Sequence, residues 1–188
     1  MKTTAINLRK GQVIDRDGKL FVILKSETIQ PGKGAAVVQV EMRDLHSGAK
    51  DNVRYRTQET VEKAFIDSDD YQFLYAEGDE LHFMNTQNYE QISVDPDLVG
   101  YPAVFLQEGM IVTIETHDST PVNVILPDQV TLEIIEAEPV VKGQTASSSY
   151  KPAVLENKER VMVPPHIGTG TRIVVKTEDG SYVERAKD

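Results

Sequence analysis

The chain contains no cysteine among its 188 residues, which excludes disulfides, thiol nucleophiles and zinc sites with cysteine ligands. No run of the sequence approaches the 18 apolar residues that a membrane-spanning helix needs. Residues 1–10 also lack the apolar core of a signal peptide. We therefore expect a soluble cytoplasmic protein that does not contact membranes.

Long segments with the period of an amphipathic helix are also missing, while valine and isoleucine are frequent and turn residues recur regularly. This pattern is typical of short strands separated by tight turns. It predicts an all-β chain of three consecutive small β-barrels over residues 1–64, 65–128 and 129–188. In the second unit Asp95-Pro96 resembles a helix start, so we expect one short helical piece over residues 98–106 beside the strands of an OB-type barrel.

Sequence motifs for catalysis or metal binding are absent as well. The four histidines are widely separated, and none has the spacing of metal ligands. The chain has no phosphate-binding loop, dinucleotide fingerprint or nucleophile elbow. The acidic residues 67–70 could hold calcium, but they lack the glycine and distal glutamate of an EF-hand loop and are interpreted as a solvated linker. We expect no enzymatic activity, no metal and no cofactor.

Positive charge is missing from one third of the chain. Residues 1–64 contain 12 Lys and Arg against 8 Asp and Glu, whereas residues 65–128 contain 13 acidic residues and no Lys or Arg. Phosphate affinity comes mainly from Lys and Arg, so the first third is predicted to face a polyanion. The acidic third is either a solvated surface, a spacer that avoids wrong RNA contacts, or a surface that meets a basic protein.

The most informative segment that is present is a turn with one lysine, flanked by two strand-like runs. Pro31-Gly32 is predicted to form the centre of a type II turn, because proline presets φ and glycine supplies a positive φ. With Gly34 on its other side, Lys33 should stand clear of the protein. The flanking runs could project the turn up to about 30 Å. This hairpin either delivers an amine into a confined place or is an ordinary solvated hairpin.

Arginines alternate with apolar residues in the last predicted strand of the first unit. Arg54 and Arg56 alternate with Val53 and Tyr55 along the chain. Because successive side chains of a strand point to opposite faces, both guanidinium groups should lie on an outer face. Arg43 is expected to join them across the turn. These arginines either bind phosphate or are solvated.

Several motifs follow one another along the chain: Pro31-Gly32-Lys33-Gly34, residues 71–75 with 82–85, residues 89–92, Gly143-x-Thr145-Ala146, residues 151–153 with 163–164, and Gly180-Ser181-Tyr182-Val183-x-Arg185. In order and spacing they resemble the bacterial elongation factor P family, which is related to archaeal and eukaryotic initiation factor 5A. The resemblance covers essentially the whole chain. It implies an SH3-like, KOW-type barrel followed by two OB-type barrels, in an L-shape that mimics tRNA.

The resemblance also implies a function. Such factors bind the 70S ribosome beside P-site peptidyl-tRNA, contact rRNA and relieve stalling at consecutive prolines. By analogy Lys33 points towards the peptidyl-transferase centre and is lengthened by a lysine-modifying enzyme. The factor is expected to be a monomer.

Other positions follow from the same resemblance. A third-domain loop with Gly143, Thr145 and Ala146 lies near the E-site codon, while Tyr182 and Arg185 face RNA. Arg43, Arg54 and Arg56 are expected to contact the tRNA or rRNA backbone. The chain departs from the family pattern at Ser148, Ser149 and Lys158, where many members have glycine, and losing glycine restricts close backbone approach.

Two other functional classes remain as alternatives. A general OB-type RNA-binding or RNA-chaperone protein would need aromatic residues within cationic grooves, and residues 65–128 supply no cations. A hydrolase would have to use carboxylates of the acidic third.

Overall fold

The structure is a computed structural model that describes residues 1–139 and 149–187. Its regular secondary structure is almost entirely strand, arranged in three sheets, so the all-β prediction is confirmed. The chain folds into two compact units, one formed by Met1–Asp70 with Thr113–Val124 and the other by Tyr71–Val112 with Ile125–Asp188. Within the described residues, no helix is long and apolar enough to cross a bilayer.

The first sheet has six strands in the order β1-β6-β2-β3-β4-β5. Alternation places one face of each strand in the core, as with Val38, Val40 and Met42, which are at most 1% exposed. Ile14, Ile23 and Tyr55 pack against them. The strands are β1 (Lys2–Thr4), β2 (Val13–Arg16), β3 (Lys19–Ile29), β4 (Val37–Asp44), β5 (Lys50–Arg56) and β6 (Thr60–Lys63), with a short 3₁₀ turn at Ala5–Asn7.

The second sheet has five strands in the order β11-β10-β7-β8-β9. Its strands are β7 (Asp67–Glu77), β8 (Glu80–Asn85), β9 (Gln91–Val94), β10 (Ile111–His117) and β11 (Thr120–Ile125). The acidic residues 67–70 are exposed, as expected of solvated residues, but they begin β7 and so do not form an irregular linker. The predicted short helical piece is divided in two, a helix α1 (Pro96–Val99) and a 3₁₀ turn (Tyr101–Phe105).

The start of α1 follows from the sequence, but its end is earlier than predicted. The side chain of Asp95 accepts a hydrogen bond from the backbone N–H of Asp97 at 2.9 Å, and Pro96 occupies the first helical turn. Gly100 adopts a φ of 77°, which takes the backbone out of the right-handed helical region. The helical segment is therefore interrupted there.

The third sheet has the order β14-β13-β12-β15-β16. Its buried faces include Leu132, Leu155 and Ile173. The strands are β12 (Gln129–Ala137), β13 (Lys151–Leu155), β14 (Arg160–Val163), β15 (Arg172–Lys176) and β16 (Tyr182–Arg185).

The β10–β11 hairpin packs against the first sheet. Val122 is buried in one cluster with Val13 and Val22. Beside this cluster, the amide of Asn123 donates a 2.9 Å hydrogen bond to Oε1 of Glu115. A β-carbon on Gly11 would lie 2.5 Å from that amide, and Gly11 has a φ of 89°, so glycine is required at this close approach.

Candidate functional site

A two-stranded arm formed by β3 and β4 carries the predicted lysine tip. The strands pair from Phe21 opposite Asp44 to Ile29 opposite Val37, with a bulge between Ile23 and Lys25. A bulge increases the local twist and bends the strand. Residues 27–35 are all exposed, so the end of the arm projects beyond the barrel core while its backbone stays hydrogen-bonded as far as Ile29.

The tip is a broad loop and not a tight turn. Residues 30–36 separate the last paired residues of the two strands. Gly34 has a φ of 107°, whereas Gly32 does not have a positive φ. The predicted type II turn with Gly32 at the positive-φ position is therefore wrong. The longer connection reverses the chain gradually, and its left-handed residue directly follows Lys33.

Lys33 is the middle residue of this loop, and its side chain is in solvent. In the part of the chain that the structure describes, its ammonium group forms no hydrogen bond or ion pair. Lower on the same arm, Lys25 pairs with Glu27 at 3.1 Å. Unlike Lys25, Lys33 is therefore available to an external partner.

Arg54 and Arg56 lie on the outward face of β5, as predicted. Arg54 is opposite Gln39, Arg56 is opposite Val37, and both arginines are exposed. The alternate residue Tyr55 is in the core, which fixes the two guanidinium groups on the other face. This face continues across β4 onto the arm. The two arginines therefore lie on the same outward surface as the outer part of the lysine arm.

Arg43 occupies the same outward face at its other end. It is opposite Lys50 on β5 and opposite Val22 on β3, and it is half-buried. Its Nε atom is buried without a hydrogen-bond partner among the described residues. Arg56 is six positions beyond Lys50 along β5, which corresponds to roughly 20 Å. The register therefore does not bring Arg43 together with Arg56.

In the third sheet, Tyr182 and Arg185 both lie on the edge strand β16. Tyr182 is half-buried and contacts Tyr150 edge to face, with ring centroids 6.2 Å apart. Arg185 is opposite Ile173 and exposed. The loop positions Gly143, Thr145 and Ala146 lie outside the described residues.

Lys158 adopts a backbone conformation that favours glycine. Its backbone has a φ of 73°, and its N–H donates a 2.8 Å hydrogen bond to the carbonyl oxygen of Leu155. The tight turn between β13 and β14 requires this left-handed conformation, which costs a residue with a β-carbon about 1–2 kcal/mol. The turn forms despite the lysine.

Sequence reasoning missed one aromatic pair. Tyr75 and His82 stack on the outward face of β7 and β8, with ring centroids 4.5 Å apart and planes 25° apart. His82 is half-buried. The described residues contain no group of three or more His, Asp or Glu that could hold a metal ion.

Comparison with known proteins gives matches over the whole chain. Three family models match it: "Elongation factor P (EF-P) KOW-like domain" at residues 4–61, "Elongation factor P (EF-P) OB domain" at 66–124, and "Elongation factor P, C-terminal" at 130–185. Proteins called elongation factor P from Methylorubrum populi and Rhodopseudomonas palustris are 58% and 56% identical to it over 188 residues, which is 100% of both chains in each case. Among solved structures, eukaryotic translation initiation factor 5A from Methanococcus jannaschii is 25% identical with a TM-score of 0.40, over 66% of this chain and 96% of that one.

Proposed function

The chain belongs to the elongation factor P family, a family of translation elongation factors, and we propose that it binds the 70S ribosome beside P-site peptidyl-tRNA and promotes peptide-bond formation at consecutive prolines. The observation that carries this proposal is the free ammonium group of Lys33 at the end of a hydrogen-bonded arm. A narrow arm can enter a confined site that a whole barrel cannot.

The proposed mechanism is positioning. Proline's ring restricts both the attacking amine and the peptidyl chain, so productive geometry is reached slowly. Holding two reactants in a near-attack arrangement lowers the barrier without any new reacting group. Lys33 would donate hydrogen bonds to the tRNA backbone near the reacting ester, and we propose no catalytic residue and no enzymatic activity.

We further propose that an enzyme lengthens Lys33. The exposed residues 27–35 leave room for an active site to enclose the tip. An extended side chain with additional donors would reach tRNA oxygens that the unmodified amine does not. Intact-protein mass spectrometry of native material tests this directly, since a mass increment must map to the peptide that contains Lys33.

Contacts with RNA are proposed for the other predicted positions. Arg54 and Arg56 would contact tRNA or rRNA phosphates, with Arg43 farther along the face. Tyr182 and Arg185 would contact RNA from the third barrel, and the loop containing Gly143, Thr145 and Ala146 would lie near the E-site codon. The factor would act in the cytoplasm as a monomer.

The decisive experiment replaces Lys33 by alanine in cells that lack their own factor. Translation of a reporter with consecutive prolines should fall to the level without the factor, while a proline-free reporter should be unaffected. Lys25→Ala is the matched control, because Lys25 is on the same arm but already pairs with Glu27. Circular dichroism should show that both variants are folded.

Full rescue by Lys33→Ala would refute the proposed role of the tip. Tight binding of the protein to arbitrary single-stranded RNA, together with that rescue, would instead favour the general RNA-binding alternative.

A further inference from the structure

The outward face of the β7–β8 hairpin presents an aromatic surface that the proposed function does not use. Tyr75 is 48% exposed and stacks on His82 across the two strands. A bulge between Phe73 and Tyr75 creates this arrangement. Without the bulge, strict alternation would turn Tyr75 inward with Phe73, which is 7% exposed.

The second ring of the stack is held in place. Nδ1 of His82 lies 3.1 Å from the hydroxyl oxygen of Ser93, its neighbour on β9. Nε2 of His82 lies 3.9 Å from a carboxylate oxygen of Glu80. Contacts on both sides of the imidazole restrict its rotation. The Tyr75 ring therefore stacks on a ring of fixed orientation, while its other face is towards solvent.

Two carboxylates lie on the same face as this stack, and neither forms an ion pair with a Lys or Arg among the described residues. Glu77 and Glu80 are directly opposite each other at the end of the hairpin, on the same face as Tyr75 and His82 because each is two residues away from one of them. Like charges directly opposite each other are unfavourable. Residues 65–128 contain no Lys or Arg, so the local sequence supplies no counter-charge.

We propose that this face, formed by Tyr75, Glu77, Glu80 and His82, binds an arginine side chain from a basic protein segment. A guanidinium group is planar and stacks on an aromatic ring, while its fork of N–H groups matches carboxylate oxygens. Such a ligand would cover the exposed face of Tyr75 and neutralise the repulsion between Glu77 and Glu80. A lysine ammonium group supplies the charge but not the flat stacking surface.

The charge of the surroundings decides between protein and RNA as the partner. Nucleic acid would also stack on Tyr75, but its phosphates would face the 13 carboxylates of residues 65–128 with no cation to bind them. A basic peptide meets the same carboxylates as an attractive field. Binding at this face does not depend on the role proposed for Lys33, and it can be measured with the purified full chain.

The test is a titration of the ¹⁵N-labelled full chain, followed by NMR, with three probes of equal length. These are an alternating Gly-Arg peptide, the corresponding Gly-Lys peptide and a single-stranded RNA oligonucleotide. We expect the arginine peptide to shift the amide signals of Tyr75, His82 and their neighbours and to bind at least about threefold more tightly than the lysine peptide. Shifts confined to another surface, equal binding of the two peptides, or a response to RNA alone would overturn the proposal.

Substitutions at this face distinguish the contribution of aromatic stacking to peptide binding from the contribution of charge. Tyr75→Ala should weaken arginine-peptide binding by about three- to thirtyfold, whereas Tyr75→Phe should keep it within about twofold. Glu77→Gln combined with Glu80→Gln should weaken binding by about three- to tenfold. The matched control is Glu90→Gln combined with Asp97→Asn, which removes the same charge from exposed positions of the same acidic third. An equal loss in the control pair would show that net charge alone attracts the peptide and would refute the site.

Discussion

The hydroxyl group of Tyr101 lies directly against Gly180, so that a β-carbon at Gly180 would overlap it. Gly180 has a φ of 74° and ends the hairpin turn between β15 and β16. Close by, the side-chain amide of Asn157 donates a 2.9 Å hydrogen bond to the carbonyl oxygen of Val104. Burial raises the pKa of Tyr101, and the nearby carboxylates of Glu159 and Asp179 raise it further. The 3₁₀ turn at Tyr101–Phe105 is thus fixed against the third sheet.

The first prediction follows from this contact. Gly180→Ala should lower the free energy of unfolding by about 2–4 kcal/mol, because it adds both left-handed strain and a steric overlap. Gly170→Ala is the matched control: Gly170 has a φ of 89°, but nothing lies within 4 Å of its β-carbon position. The control should lose only about 1–2 kcal/mol. Urea unfolding measures both.

A second substitution tests whether the Tyr101 hydroxyl group causes the loss of stability in Gly180→Ala. In the double variant Gly180→Ala with Tyr101→Phe, the overlapping oxygen is gone and the next atom, Cζ of Phe105, is 3.2 Å from the new β-carbon. Part of the lost stability should return. If the effects of the two substitutions simply add, the hydroxyl contact is not the source of the instability.

The second prediction concerns the lysine tip. Gly34→Ala should impair translation of consecutive prolines, because a residue with a β-carbon at a φ of 107° costs about 1–3 kcal/mol and the loop will change conformation. Gly32→Ala should have little effect, since Gly32 does not have a positive φ and its β-carbon position is open. Gly32→Ala should unfold at the same urea concentration as the parent protein, and Gly34→Ala should lose no more stability than the strain at this one residue accounts for. Equal impairment by the two would contradict the observed loop conformation.

The third prediction tests the arginine face by its dependence on salt. Replacing Arg54 and Arg56 together by glutamine should weaken ribosome binding and reduce the slope of log affinity against log salt by roughly one unit per lost phosphate contact. Binding is measured with purified ribosomes at several salt concentrations. Lys50→Gln on the same strand serves as the control, because Lys50 already lies 3.8 Å from Glu41. An unchanged slope in the double variant would show that the two arginines are only solvated.

The fourth prediction concerns stability in acid. Oδ1 of Asp44 accepts hydrogen bonds from the backbone N–H groups of His46 at 2.8 Å and Ser47 at 3.2 Å. The hydrogen bond from His46 is the largest cause that lowers the pKa of the Asp44 carboxyl group, and the bond from Ser47 is the next. Because the folded-state pKa lies below the unfolded one, the ionised carboxylate stabilises the fold above roughly pH 4, and this contribution is lost as the pH falls through the folded-state value.

Asp44→Asn removes the charge while keeping an acceptor oxygen. The variant should be less stable than the parent protein at pH 7, and the difference should shrink as the pH falls below about 4. Urea midpoints measured across this range give the comparison. A difference that stays constant with pH would show that the ionisation of Asp44 is not linked to folding.

Features that depend on a few neighbouring residues could be predicted from the sequence. The alternation around Tyr55 correctly assigned core and outer faces, and Asp95-Pro96 correctly indicated a helix start. The exposure of Lys33 was also predictable, because Gly34 and the surrounding loop offer nothing to cover it. In each case the cause is local stereochemistry or the period of the strand.

The sequence by itself therefore determined the all-β class, the separation of charge along the chain and the lysine at an exposed tip. Only the tertiary structure decided which side chains meet. Bulges after Ile23 and Phe73 change the face on which the following residues lie, so that Tyr75 reaches His82 on the outward face. Strand register, likewise, keeps Arg43 apart from Arg56. Bulges and register depend on the fit between distant strands, which no local pattern records.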